Sequence, residues 1–586
     1  MNKLIAPILI IFGLLLGCFN SEEEVDDFKV VLANEEIIKK IKAFQEVYEV
    51  KSVTVKAERY SKTNVQVPGV DEADIVKCDG EHIYYSKELI YRIFKIGYPL
   101  VERTYIIKAY PPNNLTVLSN ISKGGKLYYF NKSLIIIGNR EMYAYNVSNP
   151  KDPKLIWNLT LNGSYVSSRF YKGDIYLVVR KHNLNYPIVW NNVKAKLYVP
   201  LAPSYYDLDY SYTYIISKIN GRTGKVKNLI SLAAGYKTNM YMSKNNLYFT
   251  YYLAPKEYWL YINFIYKYRD KYFPKDVAER IKEVYEDKLF DPYPKYIQIR
   301  KIINSYLSSL PLEERNRLME EIEKGFNKYL EENIEKLEGT GILKINLNNF
   351  SMASTKIPGK VLNQFSMDEY EGYFRIATTI GDIWRLREKT KNSIYILDKD
   401  LKVVGKIENI SKGKRIYAVR FVKDRAYIIT YREKDPLYVV DLKNLRILGE
   451  LKIEGYSTYL HPIGKDKIIG IGKDNGRIKI SLYDVSNFSS PKELDKFIID
   501  EFWSRALYEH HAFFWDEEKR ILVIPVGKKA YVFKINNNNI SLKFVDVHNS
   551  EVLRALYIDD YLYIISYNEL HVVDENNFKL VNKISL

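Results

Sequence analysis

Between Lys414 and Ile453, apolar and polar residues alternate in four short runs, IYAVRFV, AYIITY, LYVVDL and ILGELKI. Charged and turn-forming residues separate them. A period of two turns one side of each run toward a core and predicts strands; four runs in about 40 residues predict a four-stranded antiparallel unit. The unit recurs. GKDKIIGIG with RIKISLYDVSNFSSPKELDKFII, then EEKRILVIPVGKKAYVFKINNNNISLKFVDV, then DDYLYIISYNELHVVDENNFKLVNKISL follow it. NKSLIIIGNREMYAYNVSNPKDPKLIWNLTL, KGDIYLVVR, KNNLYFTYY and EGYFRIATT precede it, and ADIVKCDGEHIYYS opens the series. A unit of this kind leaves two apolar faces that only a neighbour can cover, so a series of them closes into a ring. The expected fold is all-β: a β-propeller of eight or nine four-stranded blades over 61–586. Ile75, Cys78 and Ile83 fall in the first blade, with Cys78 as a small buried apolar residue.

The alternation stops between Pro255 and Glu338. FPKDVAERIKEVYEDKL and LPLEERNRLMEEIEKGFNKYLEENIEKLEG have helical spacing. In the second, Leu318, Ile322, Phe326, Leu330, Ile334 and Leu337 form a stripe three or four residues apart, with Ser309 and Pro311 suited to the start and Gly339 to the end. This predicts a helical insertion within one blade, at 255–338. EEIIKKIKAFQEVY also has helical spacing, within a segment 19–60 that otherwise reads as an acidic tether.

Composition changes little. The 586 residues are 47% hydrophobic and include 53 tyrosines, which suits half-buried strands. The formal charge is +17, but Lys and Arg are spread along the chain among acids, whereas a nucleic-acid site concentrates them. No nucleic-acid partner is expected. The two cysteines, Cys18 and Cys78, stand in different contexts and form no disulfide framework.

The N-terminus reads as an address. An early lysine precedes an apolar run from Leu4 to Gly17, shorter than the roughly 20 residues of a membrane span and typical of a signal peptide. The run ends in LLGC, a lipobox that makes Cys18 the lipidated first residue of the mature chain, so that 1–18 is a signal peptide with its lipobox. Asn-X-Ser/Thr sequons at Asn114, Asn120, Asn131, Asn146, Asn158 and Asn162, and further along at Asn349, Asn409, Asn487 and Asn539, are glycosylation candidates on exported surface loops. The expected location is extracellular, at the cell surface, anchored to the membrane.

Four stretches, YSKTNVQVPGVDEADIVKCDG, VLNQFSMDEYEGYFRIATT, YAVRFVKDRAYIITYREKDPLYVVDL and YSTYLHPIGKDKIIGIG, resemble the secreted β-propeller family of archaea and bacteria, distantly related to WD-type repeats. The resemblance runs from about Lys51 to the C-terminus. Cys78 departs from it, standing where Thr or another small residue is expected. It implies the propeller fold and export, and no activity.

Candidate chemistry is sparse. The chain has no Gly-X-Ser-X-Gly elbow, no His-Glu-X-X-His and no phosphate loop, and no cofactor is expected. His510 and His511 read as neighbours on a first strand. Neighbours on a strand point to opposite faces, so they are not expected to share an ion. His461 sits on another first strand. Asp74, Arg169, Asp368, Arg420 and Arg554 take equivalent positions on first strands of different blades, the strands nearest the axis. They predict a charged ring at the central channel, either a salt-bridge network or a ligand site, with Arg420 expected to pair with an acid. Asp71, Glu72 and Asp74 lie within four residues. They are a candidate cation site, or they order the start of the first blade. The expected function is a binding or scaffold module for a cell-envelope protein or glycan. The alternative is an extracellular hydrolase or lyase, with Asp368, Glu369, Arg420 and His461 converging at the channel mouth.

Overall fold

The structure, a computed structural model, describes residues 59–87, 102–183, 187–200, 206–207, 210–287, 289, 292–381, 389–431 and 435–586. The leader, Cys18, the tether and the helical stretch before residue 59 lie outside the described residues.

Among the described residues, alternating strands assemble into nine sheets in chain order, each built on four antiparallel strands, with a separate two-stranded hairpin of Val189–Trp190 and Val193–Lys194. These blades span 76–121, 126–160, 164–234, 238–358, 367–410, 415–453, 456–499, 514–547 and 552–585. Two carry extra strands. Lys196–Tyr198 runs parallel along the outer edge of blade 3, and Tyr206–Asp207 pairs with Asn246–Pro255 of blade 4.

The core is distributed as seams between successive blades. Ala377 and Ile394 of blade 5 meet Val419 and Ile428 of blade 6, for example. Blade 9 returns to blade 1: Leu556, Tyr563 and Ile565 pack on Ile83, Tyr85 and Ile107, and the Tyr563 hydroxyl donates to the Ala109 carbonyl at 2.6 Å. The ring closes with nine blades, as all-β patterning requires. Cys78 is half-buried.

A meander sends its connections alternately to the two faces of the ring. Turns joining strands one to two and three to four lie on one face, here the turn face. Turns joining two to three, and the links between blades, lie on the other, here the open face. The helical insertion follows the second strand of blade 4 and therefore stands on the open face. Its described residues form four helices: α1 (Glu257–Tyr272), α2 (Lys275–Glu286), α3 (Pro292–Ser309) and α4 (Leu312–Leu337). The spacing of α2 and α4 is visible in the sequence. α1 and α3 are rich in Tyr and Ile, residues that favour strands in isolation, and tertiary packing makes them helices. The insertion has a core of its own, with Phe264, Ile265, Ile281, Ile303, Ile322 and Phe326 buried, and meets the propeller core at Ile380.

Leu253 and Gly339 are cross-strand partners, so the ends of the insertion adjoin. Replacing residues 257–337 by a short Gly/Ser turn should leave a propeller that melts cooperatively within a few degrees of the parent, because closing a short loop there costs little entropy. Calorimetry checks this, and a broad, non-cooperative melt would make the helices part of the ring's core.

Candidate functional site

Residues 59–74 have neither strand nor helix periodicity, and they line the bore of the ring. The Arg59 carbonyl accepts from the Asp559 amide, and the Ser61 amide donates to the Tyr557 carbonyl, both on blade 9. Asn64 donates to the Tyr459 hydroxyl of blade 7 and the His510 carbonyl before blade 8. Gln66 donates to the carbonyls of Gln364 and Met367 at the entry to blade 5. Val70 is buried in the seam between blades 3 and 4. Asp71 and Glu72 then pair with Phe170 and Arg169 on the inner strand of blade 3, and Asp74 bridges to Leu127 of blade 2. The strap circles the bore against the direction of the blades before entering blade 1 at Val76.

The acidic residues of the strap divide among different bases. Asp71 takes the Lys77 ammonium at 2.7 Å. Glu72 lies with Oε1 3.6 Å from Arg169 and Oε2 2.9 Å from His510 Nε2 and 3.3 Å from His511 Nε2. Asp74 is held by Arg554, whose Nε is 3.0 Å from both carboxylate oxygens and whose Nη2 is 2.7 Å from Oδ1. The same Nη2 reaches Glu509. Burial works to raise the pKa of Glu72 and Asp74, but Arg169 and His510 around the first, and Arg554 and His511 around the second, outweigh it and hold both carboxyls well below the usual range. Burial and Arg420 push the His461 imidazole down to about 3.

Several expectations are corrected. Asp71, Glu72 and Asp74 do not form one cation site; they order the start of blade 1 against its neighbours, with the Asp71 carboxylate and the Glu72 carbonyl on Lys77 of its first strand, the Glu72 carboxylate beside Arg169 of blade 3 and Asp74 on Arg554 of blade 9. His510 and His511 are not on a strand. The link between blades 7 and 8 makes a one-turn helix, His510–Ala512, which brings both rings, centroids 4.0 Å apart, to one oxygen of Glu72. Glu72, His510 and His511, and likewise Asp74, Glu509 and His511, place potential metal-ligating atoms within 4.8 Å of one another. Arg169 and Arg554 already balance these carboxylates, so a cation there meets little uncompensated negative charge. Arg420 has no acidic partner among the described residues. Its guanidinium lies over the Phe365 ring at 5.2 Å, and Nη1 has no hydrogen-bond partner. Asp368 pairs with its cross-strand neighbour Arg375. Glu369 accepts from Ser243, Asn246 and Tyr248 across the seam with blade 4. The five predicted ring residues therefore form no continuous ring, and Asp368 and Glu369 do not join Arg420 and His461.

The strap divides the bore into two cavities. One, of about 430 Å³, opens toward the turn face and includes Asp74, Lys77, His461, His511 and Arg554. The other, of about 580 Å³, opens on the open face and includes Lys360, Gln364, Arg415, Tyr417, Tyr508 and His510. The periodic pattern gave no warning of what surrounds this second mouth. Arg415 stacks on Tyr417 at 4.8 Å, and Tyr417, Tyr431 and Tyr456 form a cluster with centroids 4.6–5.2 Å apart. Arg180 lies over Tyr236 at 4.3 Å, and Arg477 over Phe502 at 3.9 Å. Tyr508 is 71% exposed, Tyr236 61% and Phe502 60%. These residues lie at strand ends and blade links on one face, so the strand alternation does not announce them.

Residues 60–578 match the Beta propeller domain family. The chain belongs to that family. An uncharacterised protein of Methanocaldococcus jannaschii is 52% identical over 534 residues, covering 90% of this chain and 83% of the relative. An uncharacterised protein of Archaeoglobus fulgidus is 36% identical over 556 residues, covering 91% and 86%. Among solved structures, BamB from Moraxella catarrhalis is similar at a TM-score of 0.35 and 8% identity, covering 78% of this chain and 94% of that one. Sqt1 of Saccharomyces cerevisiae is similar at 0.34 and 7%, covering 77% and 82%. At these scores the likeness bears on neither site nor ligand of the propeller.

Removing Arg554 strands the buried Asp74 carboxylate and leaves the partly exposed Glu509 with Arg505. Arg554→Ala should destabilise the propeller by about 3–5 kcal/mol, and Arg554→Met with Asp74→Leu should recover part of the loss. Denaturant melts of the single and double variants read this directly; an unchanged midpoint for Arg554→Ala would remove the pair from the closure of the ring. His461 is neutral when folded at any pH above about 3 and titrates near 6.5 when unfolded. The unfolded chain therefore binds the extra proton between these values, and stability is lost as pH falls through that window, by up to about 1.4 kcal/mol per pH unit. His461→Gln should lose less stability than the parent between pH 6 and pH 4, as denaturant midpoints at several pH values will show.

Proposed function

We propose that this propeller is exported, anchored to the membrane through lipid on Cys18, and binds an anionic glycan of the cell envelope at its open face. The observation that carries the reading is the belt of aromatic side chains, with Tyr236, Phe502 and Tyr508 exposed, and stacked arginines around the mouth lined by Arg415, Tyr417 and Tyr508. Flat aromatic faces stack on sugar rings, and guanidinium forks pair with carboxylate or sulfate groups. The belt draws on blades 3, 6 and 7 and on the links that follow blades 3 and 7, as suits an extended ligand rather than a small one. Asn114, Asn120, Asn131, Asn146 and Asn158 are exposed on blades 1 and 2, whereas Asn162 is half-buried and donates to the Val189 carbonyl at 3.3 Å. The first five are the sequons this reading assigns to glycosylation.

A hydrolase or lyase requires carboxylates facing an open cleft. Asp368 and Glu369 are engaged by Arg375 and by Ser243, Asn246 and Tyr248, so no specific observation favours that reading.

The test joins location to binding. Cys18→Ser should move the protein from the membrane fraction to the medium while leaving its ligand binding intact. On arrays of acidic and neutral glycans, Tyr508→Ala and Arg415→Ala should each weaken capture of acidic glycans about tenfold or more, as exposed aromatic and Arg anchors do, with melting unchanged. Equal capture by parent and variants, or capture of an envelope protein alone, would overturn the glycan assignment; membrane retention of a cleaved Cys18→Ser protein would overturn the anchor.

A further inference from the structure

Far from the bore, the seam between blades 8 and 9 contains a second group of titratable residues. The outer strand of blade 8, Ile540–Val547, carries Asp546, and His548 follows it. The third strand of blade 9, Glu569–Asp574, carries Glu569 and His571. Alternate positions on an extended chain share a side, so the spacings Asp-X-His and Glu-X-His send two carboxylates and two imidazoles into one seam. All four residues are at least nine-tenths buried.

Their geometry is directional. Asp546 spans both rings: Oδ2 is 2.8 Å from His548 Nε2, and Oδ1 is 3.0 Å from His571 Nδ1. With Asp546 ionised, those two nitrogens carry the protons, and the remaining nitrogens, His548 Nδ1 and His571 Nε2, present lone pairs. Both are buried without a hydrogen-bond partner. Each lies 3.8 Å from the same atom, Glu569 Oε2. The backbone and side-chain amides of Asn549 fix that carboxylate, at 2.8 Å and 2.6 Å.

Charge separates this group from the one in the bore. No Lys or Arg among the described residues forms an ion pair with Asp546 or Glu569. Two carboxylates with two neutral imidazoles leave a buried charge of about −2, which is costly without a counter-ion. Protonating both imidazoles places two cations in rings stacked 3.8 Å apart. A single divalent cation cancels the charge and occupies both lone pairs.

We propose that His548 Nδ1, His571 Nε2 and Glu569 Oε2 bind a divalent transition metal of the zinc class, with Asp546 orienting both imidazoles from behind. Two His and one Glu form a known donor set for zinc, and a carboxylate on the far nitrogen of a ligating His fixes its tautomer. Tetrahedral ligands at about 2.0–2.1 Å lie about 3.3–3.4 Å apart. Glu569 therefore closes by about half an ångström and the stacked rings fan open about Asp546. The metal pins blade 9 to blade 8 one seam away from the closure of the ring.

The full-length protein is stripped with chelator, dialysed, and titrated with Zn²⁺ and, separately, Co²⁺. About one equivalent of Zn²⁺ per chain should remain after dialysis, the melting temperature should rise on loading and fall on chelation, and Co²⁺ should give ligand-field absorption of a nitrogen- and oxygen-ligated tetrahedral ion. His571→Gln and Glu569→Gln should lose the tight equivalent, while His510→Gln, in the bore, keeps it. X-ray absorption of the zinc-loaded parent should show two imidazoles, which decides the matter even if the variants do not fold. No retained Zn²⁺, or tight Zn²⁺ lost in His510→Gln and kept in His571→Gln, would overturn the proposal. So would a metal-independent protein that melts higher as pH falls, since protons would then balance the site.

Discussion

A blade with apolar residues on both faces cannot stand alone, so the whole molecule depends on the seam where blade 9 meets blade 1. The four antiparallel strands of each blade come from one stretch of chain, and among the described residues no blade draws its four strands from the two ends. Closure rests instead on side-chain packing between Ile83, Tyr85 and Ile107 and Leu556, Tyr563 and Ile565, reinforced by a short backbone stitch of residues 59–61 along blade 9. The Asp74–Arg554 pair adds direction to that seam. It ties the last residues of the strap, just before blade 1 begins, to the inner strand of blade 9, and its buried charges have no favourable alternative once the strap is displaced.

The bore and the mouth divide the labour of charge. Inside, carboxylates and guanidinium groups are matched almost one to one, with imidazoles between them, and the result is rigid and largely self-neutralised. Arg420 is the exception, with an aromatic ring in place of an acid. At the mouth, Arg180 and Arg415 lie on tyrosine faces, and Arg477 lies on Phe502 while pairing with Asp500.

Much of the ring was legible in the chain. The blades were legible because first strands such as Tyr456–Ile463 keep part of an alternation, while second strands such as Ser133–Ile137 and Ile521–Val526 are buried throughout and read as short apolar runs between turns; the break at Pro255 located the insertion. α1 was not legible because its Tyr and Ile residues serve a helix core as readily as a strand. The strap was not legible because its residues follow the curvature of the bore and the demands of seven blades, a constraint with no period. EHHAF was misread for a related reason: a run that looks like a strand became a blade link, and a single helical turn brought His510 and His511 together. The pairs Asp546 and His548, and Glu569 and His571, did carry a signal, an i and i+2 spacing of acid and imidazole, that becomes meaningful only when two separate strands are known to face each other.

Arg59 enters the ring on the turn face, where its guanidinium contacts Asp516, Glu518 and Glu575 at the seam of blades 8 and 9, while the aromatic belt lies on the opposite side. Tension applied through the N-terminal end of the chain therefore reaches that ionic clamp first, and must peel Ser61 and Asn64 from blades 9 and 7 before any load arrives at Asp74. The first resistance is a salt-bridge cluster in which Asp516 and Glu575 are buried and Glu518 faces solvent, and the last is the buried pair of Asp74 and Arg554.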